Sequence, residues 1–169
     1  HHTCKDRLPT AAVAILNPKR PDCDYPFDAL AGVGVAFKLI LALAIKNGLK
    51  TTDVFNQYVD IATLGTIADV VPLLGENRVI VDKGLKLLHN PKRIGIRAIM
   101  EVAGVLDKPL NASTIAFSIA PRLNAAGRLG SAATAVELLL TNDESRAREL
   151  ALLLDTENKE RQQTERQIF

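Results

Sequence analysis

The fold of this chain is organised around one stretch, Tyr58-Val-Asp-Ile-Ala-Thr-Leu-Gly-Thr-Ile-Ala-Asp-Val-Val-Pro-Leu73. Its second carboxylate, Asp69, has apolar neighbours on both sides. Burying an unpaired carboxylate among such residues costs several kcal/mol unless a cation or hydrogen-bond donors receive it. Gly65 and Pro72 flank Asp69, which predicts a tight connection that aims the carboxylate into a cleft. One role for the Asp69 carboxylate is to bind a divalent metal. The alternative is that Asp69 caps a helix or ends a buried turn.

Amphipathic patterns predict helices on both sides of this stretch. Asp53 is expected to cap a helix that runs to about Leu64 and delivers the chain to Asp69. Asp60 lies on the flank of that helix, where exposure to solvent or capping is its expected role. After the stretch, helices are predicted at residues 76–88, 94–102, 112–119 and 131–140.

Upstream, the chain contains a continuous apolar run, Ala11-Ala-Val-Ala-Ile-Leu16, which predicts a fully buried strand of a parallel sheet. Such a strand needs neighbours, so we expect the sequence to be a fragment whose upstream strands are missing. Two glycines, Gly32 and Gly34, then open a helix that ends near Gly48. They serve either a close backbone approach to a phosphate or close helix packing.

Composition sets the broad class of the protein. The 169 residues are 47% hydrophobic, which is enough for one domain with a sizeable core. A formal net charge of +2 neither requires nor excludes a polyanionic partner, while 4% aromatic residues argue against a broad base-stacking surface. Two cysteines without a Cys-x-x-Cys pair, and no signal-peptide pattern, predict a reduced, cytoplasmic protein. The apolar run at 36–45 is too short to span a membrane.

A second candidate site follows at Ala120-Pro-Arg-Leu-Asn-Ala-Ala-Gly-Arg-Leu-Gly130. Interpreted as a loop, its small residues let the backbone come close to a ligand. Arg122 and Arg128 can fork onto phosphate oxygens there, and Asn124 can hydrogen-bond beside them. The alternative interpretation is a surface loop with ordinary solvated arginines.

A pair of histidines, His1 and His2, completes a chemical pattern with Asp69 and the arginines. Imidazole and carboxylate bind divalent ions such as Mn²⁺ or Mg²⁺, the ions activate water for attack on a phosphodiester, and arginines hold the flanking phosphate. A purification-tag remnant would give the same His pair, so the pair has to be interpreted together with its neighbouring motifs.

Four segments carry a family resemblance in one fixed order. They are His1-His2-Thr with the apolar run and Leu16-Asn-Pro-Lys-Arg-Pro21, then Leu30-Ala-Gly-Val-Gly-Val-Ala-Phe-Lys-Leu39, then Ala62-Thr-Leu-Gly-Thr-Ile-Ala-Asp-Val-Val-Pro-Leu73, and Pro121-Arg-Leu-Asn-Ala-Ala-Gly-Arg-Leu129. The first and third resemble the DHH phosphoesterase superfamily. The second and fourth are similar to its RecJ exonuclease branch rather than to its pyrophosphatase or oligoribonuclease branches.

The resemblance implies an α/β fold, namely the C-terminal part of a DHH-type parallel-sheet domain that is mostly helical in this fragment. Residues 1–75 are expected to belong to that domain, residues 76–145 to a helical section completing the catalytic core, and residues 146–169 to the start of an interdomain linker helix. Independently, the run from Asp155 to Gln167 is almost wholly polar, as is typical of a long helix that bridges domains.

The resemblance also implies the site residues. His1, His2 and Asp69 are expected to bind metal, with His2 and Asp69 catalytic. Arg122, Asn124 and Arg128 are expected to bind DNA, with one arginine on the 5′-phosphate.

The implied activity is degradation of single-stranded DNA from its 5′ end with Mn²⁺ or Mg²⁺, in recombination and repair. Single-strand-binding protein and a helicase are the implied partners, without a membrane.

The sequence departs from the family pattern in ways that bear on metal binding and activity. The Asp expected before His1, the upstream aspartate motifs and the downstream DHHA1 domain are absent from the sequence. The chain alone is therefore expected to lack a two-metal site and to be inactive. Two alternatives stay open: a DHH phosphoesterase for short oligonucleotides or pyrophosphate, and an inactive DHH-like binding module in a replication complex.

Overall fold

The structure is a computed structural model that describes residues 1–3, 8, 11–129 and 132–168, with the side chains of residues 128, 129 and 168 outside the description. The helices, in chain order, are α1 (Gly32–Lys46), α2 (Thr51–Ala68), α3 (Gly75–Leu88), α4 (Ile94–Val102), α5 (Ala112–Thr114), a π-helix (Ile115–Ile119), α6 (Ala120–Leu129), α7 (Ala133–Leu140) and α8 (Glu144–Ile168). None of these described helices has the length and apolar character that crossing a bilayer requires.

Compactness divides the chain into two units, His1–Gly84 and Leu85–Phe169, and each is described by itself. The functional division proposed from the sequence, at residues 1–75, 76–145 and 146–169, stays a prediction.

The predicted buried strand at residues 11–16 is not formed in the described structure. These residues form no strand, and Val13 and Leu16 are 107% and 58% exposed. A strand persists only where a neighbouring strand pairs its N–H and C=O groups, and the described part of the chain contains no second strand. The helical part of the predicted fold is confirmed, whereas the parallel sheet is not seen in these residues.

The first unit packs α1, α2 and α3 around a small apolar core. Its fully buried members are Leu30, Phe37, Val59, Ala62 and Ile80. The ring of Phe37 lies 5.2 Å from that of Phe55, centroid to centroid, in the tilted geometry that aromatic pairs prefer. Burying each large apolar side chain contributes about 1.5–3 kcal/mol, so this core holds the three helices against one another.

Glycines let these helices approach very closely. A Cβ at Gly84 would lie 1.8 Å from Oγ1 of Thr63 and 2.8 Å from the carbonyl oxygen of Val59, so α3 crosses α2 almost backbone to backbone. The Thr63 hydroxyl is buried there and donates a 2.9 Å hydrogen bond to the carbonyl of Ile80. At Gly65, a Cβ would meet the side chain of Val33 on α1 at 2.8 Å. Only glycine fits these two positions without displacing a neighbour.

Helix α2 begins earlier and ends later than predicted. Its N-cap is Lys50, so the prediction that Asp53 caps it is wrong; Asp53 lies in the first turn, where its charge complements the helix dipole. The helix continues past Leu64 to Ala68, because Gly65 serves close packing rather than termination. The predicted stop of α1 is confirmed, since Gly48 adopts φ +68° after the C-cap.

The second unit is a helical cluster in which α8 contacts α4, α6 and α7. Helix α4 buries Ile96, Ile99 and Met100, and α8 buries residues at the spacing of a single helix face: Ala147, Leu150, Ala151 and Leu154. The predicted cap at Asn111 is confirmed, because its side chain accepts a 2.8 Å hydrogen bond from the N–H of Thr114. The polar tail of α8 is exposed from residue 162 to residue 167.

Residues 120–129, which were interpreted as a loop, form helix α6. Pro121 lies at the start of α6, where the absent N–H is least costly. In the preceding π-helix each backbone hydrogen bond spans one more residue than in an α-helix. The wider turn accommodates the proline ring next to a continuous helix.

Replacing Gly95 with alanine should destabilise the second unit by roughly 2 kcal/mol or more. A Cβ there would lie 1.7 Å from the carbonyl oxygen of Leu138, so α4 and α7 would have to separate. The matched control is Gly127→Ala in α6, where a Cβ would have no neighbouring atom within 4 Å and alanine should be neutral or favourable. Thermal unfolding followed by circular dichroism measures both; equal midpoints for the two variants would contradict the close approach.

Candidate functional site

Asp69 lies at the C-cap of α2, where its N–H donates a 3.0 Å hydrogen bond to the carbonyl of Gly65. Its position on a connection between two helices is confirmed, but the prediction of a buried carboxylate is wrong. The side chain is 37% exposed. The physical reason is helical geometry: Ile67 turns into the core, and at the helix end Asp69 and Val70 turn out of it.

The backbone bends sharply immediately after Asp69. Val70 adopts φ +55°, the left-handed conformation that β-branched residues rarely take. This conformation costs about 1–2 kcal/mol for a residue with a Cβ. It ends α2 at Asp69 and leaves the Val70 side chain 85% exposed.

Two histidines lie beside this carboxylate. His1 Nε2 is 3.2 Å from Asp69 Oδ2, and the centroids of the His1 and His2 rings are 4.0 Å apart with a 42° tilt. The space for the imidazole of His1 exists because residue 32 is glycine, since a Cβ there would lie 2.8 Å from His1 Nδ1. The structure therefore brings together the three residues that the sequence singled out in this half of the chain.

Asn17 was not expected to take part. Its Nδ2 donates a 2.8 Å hydrogen bond to the carbonyl of His2, while its Oδ1 accepts from the N–H of Lys19 at 3.0 Å. The signal in the sequence is Asn17-Pro18, since Asn before Pro commonly starts a turn and bonds to its own backbone. Asn17 thus anchors the backbone that carries the two histidines.

The donor set fits part of a divalent metal site. Two ligands about 2.1 Å from one ion at right angles are about 3 Å apart, close to the separation of His1 Nε2 and Asp69 Oδ2. Imidazole and carboxylate together suit Mn²⁺ and tolerate Mg²⁺. Within the described part of the chain, however, no three His, Cys, Asp or Glu side chains form a group able to hold a metal. These residues can supply part of the coordination sphere of a metal ion but do not complete it.

A polar cluster in the first unit joins the segment before α1 to α1 and α3. The hydroxyl of Tyr25 donates to Glu76, whose other carboxylate oxygen is 2.9 Å from Lys38 Nζ. Burial and the Glu76 carboxylate raise the pKa of Tyr25, and the interactions with Tyr25 and Glu76 raise the pKa of Lys38. Tyr25 and Lys38 line a cavity of about 520 Å³ together with Ile15 and Leu16. Two of the residues predicted as a strand, Ile15 and Leu16, therefore line an open apolar cavity.

In the second unit, Arg122 is engaged inside the fold. Its Nε donates a 2.8 Å hydrogen bond to Asp155 Oδ1 on α8, and its Nη1 donates at 2.5 Å to the carbonyl of Ser118 in the π-helix. Asp155 Oδ2 also lies 2.7 Å from Lys159 Nζ. The side chains of Arg122 and Asp155 are 17% and 9% exposed, so this ion pair is largely buried.

The other two predicted DNA-binding residues are less constrained. Asn124 is exposed on α6, and Arg128 has its backbone in α6 while its side chain lies outside the described residues. No pattern in the sequence singled out Asp155, because it opens a polar run that suggested solvent on every side. The structure instead buries Asp155 and Asn158.

We expect Asp155 to make the stability of the second unit depend on acidity. Burial raises the pKa of this carboxyl, but Lys159 and Arg122 outweigh it and hold the pKa below the usual 3.8. Because the folded pKa is the lower one, the ion pair stabilises fully above about pH 4 and is lost as the pH falls through the folded value. Urea unfolding at several pH values should show a stability gap between wild type and Asp155→Asn that narrows below about pH 4. A gap that stays constant would contradict this.

Comparison with known proteins finds relatives that match nearly the whole of this chain. No protein-family profile matches it. The single-stranded-DNA-specific exonuclease RecJ of Bacillus subtilis is 44% identical over 162 residues, which cover 96% of this chain. RecJ of Haemophilus influenzae is 45% identical over 172 residues, covering 98% of it. By sequence, this chain is similar to RecJ over nearly its whole length. It spans 20% of the first RecJ protein and 30% of the second.

A solved RecJ structure has the same fold over most of the chain. RecJ of Thermus thermophilus in complex with Mn²⁺ matches with a TM-score of 0.75 at 41% identity, over 88% of this chain and 22% of that one. The same RecJ in complex with Mg²⁺ gives a TM-score of 0.76 over 86% of this chain. The helical arrangement described above therefore resembles that of a segment of RecJ.

Proposed function

We propose that the protein is a 5′-to-3′ exonuclease that hydrolyses the phosphodiester bonds of single-stranded DNA in recombination and repair. The observation that carries the proposal is the 3.2 Å approach of His1 Nε2 to Asp69 Oδ2 in a chain similar to RecJ. RecJ relatives bear the name of single-stranded-DNA-specific exonucleases, and the solved RecJ structures hold Mn²⁺ or Mg²⁺.

His1, His2 and Asp69 take the metal-facing roles in this proposal. His1 Nε2 and Asp69 Oδ2 would each donate a lone pair to one Mn²⁺ or Mg²⁺. A bound ion would supply Lewis-acid chemistry for the phosphate and for the attacking water. His2, exposed beside the His1 ring, is assigned to the ligand set and to the side facing the scissile phosphate, where its imidazole can hold or donate a proton.

The substrate-binding roles fall to Arg122, Asn124 and Arg128. Guanidinium groups match phosphate oxygens in geometry and charge, and an exposed amide can hydrogen-bond a base or a sugar. The complete two-metal site would draw its remaining ligands from parts of the protein other than the described residues.

The wider setting of the domain follows from the same proposal. Residues 11–16 would pair with strands of a DHH-type parallel sheet, and that sheet would cover the cavity lined by Ile15 and Leu16. We propose action in the cytoplasm, where single-stranded DNA arises during repair, together with a helicase and single-strand-binding protein.

Replacing Asp69 with alanine should lower the rate of DNA degradation by at least about 100-fold, because the metal loses a charged ligand. The measurement follows shortening of a 5′-phosphorylated single-stranded oligodeoxynucleotide in Mn²⁺ by the protein from its complete reading frame. Asp53→Asn is the matched control, since it removes an exposed carboxylate from the first turn of the same helix. Equal activity of Asp69→Ala and wild type would refute the assignment.

The same assay separates the alternatives. Cleavage of a dinucleotide or of pyrophosphate, with the long strand left intact, would move the protein to another branch of the superfamily. Binding of single-stranded DNA without any hydrolysis would indicate an inactive binding module.

The 169-residue chain by itself should show no Mn²⁺-dependent nuclease activity. Its described residues supply fewer than three clustered ligands for a metal, and two ligands hold a divalent ion weakly. Activity of the isolated chain that disappears in Asp69→Ala would overturn this expectation.

A further inference from the structure

Asp155 occupies an unusual place for a carboxylate. It begins the polar half of α8, yet its side chain is 9% exposed, and its two oxygens face two different cations: Arg122 through Oδ1 and Lys159 through Oδ2. A buried ion pair of this kind often adds little net stability, because desolvation offsets the attraction between the charges. Stability alone therefore explains the arrangement poorly.

The arrangement fixes the orientation of the Arg122 guanidinium. Asp155 takes its Nε–H, and the carbonyl of Ser118 takes a hydrogen from Nη1. The third nitrogen, Nη2, donates to no residue that the structure describes, and the side chain keeps 17% of its surface exposed. The planar group is thus held at two points while Nη2 keeps its two N–H donors.

The surroundings favour an anionic ligand for these donors. A second cation lies beside Arg122, because the exposed Lys159 places its Nζ 2.7 Å from the other oxygen of Asp155. A guanidinium whose rotamers are already fixed loses little entropy when it receives a phosphate, which strengthens binding without any new contact.

We propose that Asp155 is a positioning residue, which holds Arg122 so that Nη2 contacts a phosphate of single-stranded DNA. The choice of ligand rests on the proposed function. Asp155 itself touches no DNA and acts only through Arg122.

Two roles of the Asp155 carboxylate, as a negative charge near DNA and as a group that orients Arg122, predict opposite effects of Asp155→Asn on DNA affinity. If the carboxylate mattered only as a negative charge near DNA, its removal would tighten binding. If the carboxylate orients Arg122, its removal should weaken binding. The Arg122 side chain would regain rotamer freedom, and its buried positive charge would lose its partner. The test measures the affinity of the full-length protein for a 5′-phosphorylated single-stranded oligodeoxynucleotide by fluorescence anisotropy in EDTA, where no metal-dependent cleavage occurs.

We expect Asp155→Asn to weaken binding about tenfold and to reduce the slope of log affinity against log salt by about 0.7, the value for one phosphate contact on a single strand. Arg122→Ala should do the same, and the double variant should bind no more weakly than Arg122→Ala alone. Lys159→Gln leaves the Asp155–Arg122 bond in place and should cause a smaller loss. The matched control is Glu160→Gln, an exposed carboxylate on the same helix, whose affinity should stay near the wild-type value.

A purely structural role would lower the unfolding midpoint and leave the affinity and the salt slope of the folded variant unchanged. That result would overturn the inference, as would tighter binding by Asp155→Asn or additive losses in the double variant. If Asp155→Asn does not fold, Asp155→Glu keeps the charge but displaces the carboxylate by one methylene and should still weaken binding; wild-type affinity of Asp155→Glu would then contradict the inference. The proposed function is tested separately: a wild-type protein that binds DNA with the expected coupling but does not hydrolyse it in Mn²⁺ fails as an exonuclease while the role of Asp155 stands.

Discussion

The site in the first unit depends on how closely α2 packs against α1 and α3. Gly84 lets the backbone of α3 lie against Thr63 and Val59, and Gly65 receives the side chain of Val33 from α1. The buried hydrogen bond from Thr63 to Ile80 locks this crossing. Because a helix is rigid over a few turns, a crossing fixed at Thr63 also fixes the end of α2, where Asp69 projects.

Local strain and a small residue complete that placement. The left-handed backbone at Val70 stops the helix at Asp69, and Gly32 leaves room for the His1 ring beside it. Strained conformations of this kind persist only where the surrounding structure enforces them, and they concentrate at functional sites. The result is an accessible histidine–carboxylate pair on a rigid support, which is what one side of a metal site requires.

In the second unit, the side chain of Arg122 is largely buried and is held in one orientation. Asp155 on α8 and the carbonyl of Ser118 hold the Arg122 side chain of α6 in place. The carbonyl of Ser118 belongs to the π-helix that precedes Pro121. A buried ion pair can hold a side chain in one orientation while desolvation offsets much of its contribution to stability.

The sequence by itself determined the helices, the caps at Asn111 and Gly48, and the ordered motifs that carry His1, His2 and Asp69, because these depend on local periodicity and turn chemistry. Tertiary structure decided what is buried. In the folded chain, Asp69 is exposed and Asp155 is buried. The segment around Arg122 is helical, and residues 11–16 have no strand pairing. Burial and strand pairing depend on neighbours distant in sequence, which no local pattern encodes.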